Sequence, residues 1–368
     1  MTSICKYLRG NIKTIALRMI FVTVLGLIFV VSAGREDLSV VNGMARGDYY
    51  KFDLEYWFIP VLFFAWSLLV PIVEFEGFIN KRNLDTLYSM PISRKSLMTA
   101  HTISAFAQMA IPFWVVNLFW YFYRIFGNSC YRQDMVWLTM GLTFALCLVT
   151  LACAEFFFLN GNSVWDGVIL VGMGVISYFA VMVILGVIIR SGISTVVKTF
   201  MSLPALLLFI ATNDEISMRY YVQGEWHNEC IPDWISEFTE KVSVSLILWA
   251  VLAVVMMVAS YRIFTRRRAE TAEGISDGWL GYKLMMPLYS VAAMLFCSIL
   301  IGGEGMSAEA IGFKLVFFVI VVLGYVVYRR GFKFKKSDLI FLAVLLVASF
   351  SGLTDLAVSG VPWSVVFG

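Results

Sequence analysis

Apolar runs of about twenty residues recur along this chain, separated by short breaks that hold most of its charge. A helix rises about 1.5 Å per residue, so such a run matches the thickness of a bilayer's hydrocarbon core. Hydrocarbon offers no hydrogen bonds, and a helix satisfies its backbone N–H and C=O groups within one segment. Of 368 residues, 60% are hydrophobic and only 14% are charged. A soluble domain carries about 25% charged residues, so this composition could not cover a fold in water. The expected fold class is therefore an all-α, polytopic bundle of membrane helices. A net charge of +3 is too small to point to nucleic acid. The cysteines are scattered without a CxxC pair and there are two histidines, so no zinc pattern is available.

Taken in order, residues 1–13 place Ile4, Leu8 and Ile12 at i+4 spacing, with Lys6, Arg9 and Lys13 on other faces. This pattern predicts an amphipathic helix on the membrane surface. The basic start followed by an apolar run is like a signal peptide. The run is the length of a full span with no clean cleavage site, which predicts a retained first helix. The spans expected are 14–34, 55–75 with Pro60 and Pro71, 99–123 ending in the aromatic cluster Trp120–Tyr123, 135–158, 167–189, 245–264, 284–302, 312–328 and 338–352. Residues 190–212 contain Lys198 and Pro204 and read equally as a span or as a re-entrant segment.

The distribution of Lys and Arg decides between those two readings, because cytoplasmic loops carry an excess of basic residues. If 190–212 does not span, the cytoplasmic segments hold sixteen Lys and Arg and the outer ones nine. If it does span, the two most basic loops, 265–283 and 329–337, move outside. The first assignment predicts a cytoplasmic N-terminus and an outer re-entrant element within 190–244. Non-helical backbone there needs a covering of protein.

The longest charged, turn-containing break in the first half is EFEGFINKRNLDTLYSMPISRKSLM, residues 74–98, on the predicted cytoplasmic side. Asn80 to Ser89 suffices for about three helical turns, or about 15 Å. Leu84, Leu87 and Tyr88 share one face at i+3 and i+4, flanked by Arg82 and Asp85. Pro91 ends that helix, and Ser93 is placed to cap the next. Three strings in this order, Glu74-Phe75-Glu76, then Lys81 to Leu87 with Met90-Pro91-Ile92-Ser93-Arg94-Lys95, then Arg266 to Ala272, resemble the permease of ATP-binding-cassette (ABC) exporters. The type is the type-two membrane family with the type V fold, and the last string is similar to the "RxxETAG" ending of a Gram-positive subgroup. Glu273 stands before Gly274 here, a departure from that ending. The resemblance covers residues 1–275.

That resemblance implies a six-span permease core over 14–268, preceded by the surface helix and followed by about three additional C-terminal spans over 280–368. It implies that residues 80–90 form a coupling helix docking on a separate ABC ATPase through Glu76, Arg82, Leu84, Asp85, Leu87, Tyr88, Pro91 and Arg94. The chain has no GxxxxGK[ST] phosphate loop, so ATP and Mg are expected in that partner and no catalytic, cofactor or metal residue in this chain. Half a permease also requires a second copy or a paralogue. The expected activity is export or extraction of a peptide, antibiotic or lipid-like substrate across the cytoplasmic membrane of a Gram-positive bacterium. The alternative within the same class is a membrane sensor or resistance component.

Other residues supply rival readings. Glu74, Glu76 and His101 together suggest an intramembrane metalloprotease, although His227 lies in the outer segment and an adjacent pair of glutamates is missing. Glu155 is expected at the inner interface or paired within the bundle. Glu155 and Lys314 are the only charges expected deep in spans, which argues against an ion-coupled secondary transporter. The acidic outer segment 213–244 reads as a solvated cap, or as a patch that steers a cationic peptide. Cys130 and Cys230, both expected outside, are the candidate disulfide pair.

Overall fold

In the computed structural model, the residues described are 2–32, 39–40, 50–51, 58–80, 83, 93–125, 133–188, 219–222, 225–228, 233–266, 282–301, 308–329, 331–332 and 334–358. They form ten α-helices: α1 (Thr2–Ser32), α2 (Phe58–Phe75), α3 (Arg94–Trp120), α4 (Gln133–Asn160), α5 (Val164–Ile188), α6 (Asp233–Arg266), α7 (Tyr282–Leu300), α8 (Ala308–Arg329), α9 (Lys336–Phe350) and α10 (Leu353–Val358). Two short antiparallel ladders accompany them, β1 (Ser39–Val40) with β2 (Tyr50–Lys51), and β3 (Arg219–Val222) with β4 (Glu225–Asn228).

Among the described residues, seven helical segments are long and apolar enough to cross a membrane, and Val164–Val175 adds a shorter apolar stretch. Their outward faces explain the composition. On α1, Leu17, Ile20, Phe21, Val24 and Ile28 are exposed in one continuous stripe, while Val22 and Val30 are buried. On α8 the stripe is Phe313, Val316, Ile320, Leu323 and Val327. Contiguous apolar surface on this scale is tolerated in lipid and not in water. The protein is a helical, multi-pass membrane protein.

One boundary differs from the sequence reading. The expected step from a surface helix to a first span at residues 13–14 is not a break. α1 runs without interruption from Thr2 to Ser32, with no proline inside, and its apolar stretch begins at Asn11. α6 starts at Asp233, and the apolar stretch within it, Trp249–Arg266, matches the span expected over 245–264. The last expected span is the 15-residue α9, about 22 Å long. It stops at a turn where Gly352 takes a φ of +79°, a left-handed position that favours glycine.

The chain divides into two compact units. The first comprises Met1–Phe156 and Ser202–Ala269. Its centre is α3, which packs on α1, α2 and α6. α3 turns a stripe of small and apolar residues inward (Ala105, Met109, Phe113, Val116) onto Val22 and Val30 of α1 and Phe63 and Val70 of α2. Gly26 lets α1 approach closely: a Cβ there would lie 2.7 Å from Val116 Cγ2. Ser93 caps α3 as expected, with an extended backbone and its hydroxyl accepting from Ser96 N at 3.2 Å. The expected aromatic belt falls where α3 passes into a π turn, Tyr121–Ile125, with Phe122 and Tyr123 exposed.

The second unit comprises Phe157–Met201 and Glu270–Gly368. In it, α5 groups with the C-terminal helices. α7 is the hub, packing on α5, α8, α9 and α10. Tyr282 of α7 donates to Asp166 of α5 at 3.3 Å, and the Tyr289 hydroxyl donates to the Met173 carbonyl oxygen. Gly167 and Gly174 give α5 a smooth face against the rings of Phe158 and Phe157, where added Cβ atoms would clash. Within this unit the buried Lys314 of α8 donates to Asp355 of α10 at 2.5 Å and to the Ser349 carbonyl oxygen at 3.1 Å.

Candidate functional site

The stretch from 74 to 98 begins and ends in the first unit. Its two ends are held together by a cluster of polar side chains in otherwise apolar surroundings. Glu74 is in the last turn of α2, and its side chain is 6% exposed. Its Oε1 lies 2.8 Å from His101 Nδ1, and its Oε2 accepts from Gln108 Nε2 at 2.7 Å and from Arg18 Nη1 at 3.3 Å. Gln108 Nε2 also contacts Ser104 Oγ at 3.1 Å, and Trp66 Nε1 donates to the Gln108 carbonyl oxygen at 2.9 Å. One carboxylate therefore joins α1, α2 and α3. His101, Ser104 and Gln108 fall at i, i+3 and i+7, on one face of α3, which is why they meet the same group.

An aromatic chain continues from this cluster. Beyond α2 the backbone tightens into a 3₁₀ turn, Glu76–Phe78. The Phe78 ring stands edge-on to His101 at 4.7 Å and edge-on to Phe264 of α6 at 4.8 Å. Phe75, Phe78 and Phe264 are almost wholly buried. The entry to the stretch is thus packed against both α3 and α6, and the Ser93 cap sets its exit.

Of the residues expected to contact an ATPase, Glu76 is exposed in the 3₁₀ turn and Arg94 is exposed at the first position of α3. Arg82, Leu84, Asp85, Leu87, Tyr88 and Pro91 lie outside the described residues, as do Cys130, Cys230 and segment 190–212. Between Asn80 and Ser93 only Asn83 is described, exposed and with its N–H donating to the Asn80 carbonyl oxygen at 3.2 Å. In the segment 213–244, β3 pairs with β4 from Arg219 opposite Asn228 to Val222 opposite Glu225.

The three residues of the metalloprotease reading do not converge. Glu74 and His101 are buried against each other, while Glu76 is exposed. Among the described residues no group of three or more His, Cys, Asp or Glu side chains could hold a metal ion. Glu155, 2% exposed on α4, accepts from Thr102 Oγ1 of α3 at 3.1 Å.

The mutual arrangement of Glu74, Gln108 and Arg18 was not part of the sequence reading. The signal available was a stripe of three polar side chains inside an apolar helix, opposite an acidic residue at the end of the preceding span. Comparison of the chain with protein-family models, with curated proteins and with solved structures gives no match.

Proposed function

We propose that this chain is the transmembrane permease subunit of an ABC exporter with the type V fold, in a bacterial cytoplasmic membrane with its N-terminus inside. It works with a separate ATPase subunit, which holds ATP and Mg, and with a second permease copy or paralogue. Residues 80–90 are the coupling helix, and Glu76, Arg82, Leu84, Asp85, Leu87, Tyr88, Pro91 and Arg94 form its ATPase-facing surface. The substrate moves outward, driven by ATP hydrolysis in the partner. The first unit carries the drive, and the C-terminal helices are an addition to it.

The observation that carries this reading is the clamp on Glu74. A loop pushed by a partner transmits force only if both its ends move with the helices beneath it. Here the start of the stretch is pinned by one carboxylate to α1 and α3 and by Phe78 to α3 and α6. A displacement of 80–90 would therefore shift four helices together. Its basic residues Lys81, Arg82, Arg94 and Lys95 suit the cytoplasmic side.

The test is a search of the neighbouring reading frames for an ABC ATPase, followed by its co-expression with this chain. Leu87→Asp and Arg82→Glu should lower ATPase co-purification and stimulation at least tenfold, leaving the membrane part monodisperse. Unchanged ATPase binding and activity in both variants would overturn the proposal.

A further inference from the structure

The first unit contains a groove of about 360 Å³ between α3, α4 and α6. Small-molecule sites span about 300–1,000 Å³, so this volume suits a compact ligand. Along α4 it runs from Ala145 to Glu155, about 15 Å. Its walls are apolar, with Phe106 from α3, Leu148 from α4, and Trp249, Val254 and Met257 from α6. Val254 is also 60% exposed on the lipid-facing side of α6, so an opening toward lipid adjoins the groove.

Among the described residues, its lining holds one carboxylate, Glu155, and one hydroxyl, Thr102, hydrogen-bonded to one another at one end. Glu155 is 2% exposed, and among the described residues no cation pairs with it. Placing a carboxylate in a membrane span costs about 2.5–3.5 kcal/mol on insertion scales, and it is tolerated where a partner or a function accounts for it. Among the described residues its lining contains no Lys, Arg or other cation. A phospholipid headgroup would bring a phosphate that finds no positive partner here. A single positive charge on an apolar body meets both the walls and Glu155.

We infer that this groove binds lipophilic monocations, with Glu155 as the counter-charge and Thr102 holding its carboxylate in place. As cargo for export this inference rests on the permease reading. Binding itself needs only this chain, so it is measured without the ATPase and fails or succeeds separately from coupling.

The experiment uses the full chain in phosphatidylcholine nanodiscs. It is titrated with radiolabelled tetraphenylphosphonium and with tetraphenylborate, which has the same shape and opposite charge. Empty nanodiscs supply the background. The expected result is saturable binding of one phosphonium per chain and no saturable binding of borate. Glu155→Gln should weaken phosphonium binding at least tenfold, Glu155→Asp should retain most of it, and Ala253→Trp, which fills the groove, should abolish it. Saturable binding of both ions alike would overturn the inference, as would unchanged affinity in Glu155→Gln. So would a co-purified phospholipid, seen by native mass spectrometry, that phosphonium does not displace. The comparison of the two ions on the unmodified chain decides the matter even where a variant fails to fold.

Discussion

Glu74 Oε1 and His101 Nδ1 lie 2.8 Å apart, although 27 residues separate them in sequence. The contact bridges the two ends of the charged stretch between α2 and α3. With Gln108 and Arg18 on the other oxygen, every strong contact of this carboxylate runs to a different helix from its own.

Removing that carboxylate should therefore loosen three helices at once. Glu74→Leu leaves Arg18, His101 and Gln108 without their shared acceptor, and breaking a buried pair from one side costs about 3–5 kcal/mol. Glu74→Gln keeps the shape and one acceptor oxygen, so its loss should be smaller, about 1–2 kcal/mol. Reversible unfolding in mixed micelles measures both. Equal stability of Glu74→Leu and the unmodified chain would show that the cluster ties nothing together.

The α1–α3 contact depends on a missing side chain at Gly26. Gly26→Leu should cost about 1–3 kcal/mol, because its Cβ alone would meet Val116 Cγ2 at 2.7 Å. Adding Val116→Ala should recover part of that loss, giving a coupling above about 0.5 kcal/mol in a double-mutant cycle. Additive costs would mean that the helices do not touch at this point.

Within the second unit, Lys314 is 3% exposed and depends on Asp355 and the Ser349 carbonyl oxygen. Asp355→Leu strands a buried cation and should cost about 3–5 kcal/mol, whereas Lys314→Met with Asp355→Leu should restore most of it. Chemical denaturation of the single and double variants separates the two outcomes. A double variant no better than Asp355→Leu would mean that the cost is one of packing, not of charge.

The Ser93 cap offers a local check. Ser93→Ala should cost about 1 kcal/mol and Ser93→Asp should cost little, since either hydroxyl or carboxylate accepts from the Ser96 amide. Hydrogen exchange at Ser96 should accelerate in Ser93→Ala alone. Equal protection in all three chains would remove the cap.

Some of this was legible in one dimension. Ser93 followed by an apolar run marked the start of α3, because capping involves residues three positions apart. The apolar runs marked membrane helices, because span length and hydrocarbon content are properties of a single segment. The separate surface helix expected over 1–13 is instead continuous with the first span, since charged residues at 6, 9 and 13 alter the apolar pattern without breaking the backbone. The site was legible only in outline: Glu74 was part of a charged string, but its partners His101, Gln108 and Arg18 lie 27, 34 and 56 residues away.

The chain's own sequence determined its solvent, its helical character and the starting point of α3. Each of these follows from length, composition or contacts within one turn. Tertiary structure decided that Glu74 closes the stretch onto α1 and α3, that α5 belongs with α7, and that Glu155 faces a groove. Those outcomes depend on which helix faces meet. In a chain where nearly every face is apolar, hydrophobic periodicity does not distinguish one neighbour from another. The choice falls to a few polar groups and glycines, whose partners lie far along the chain.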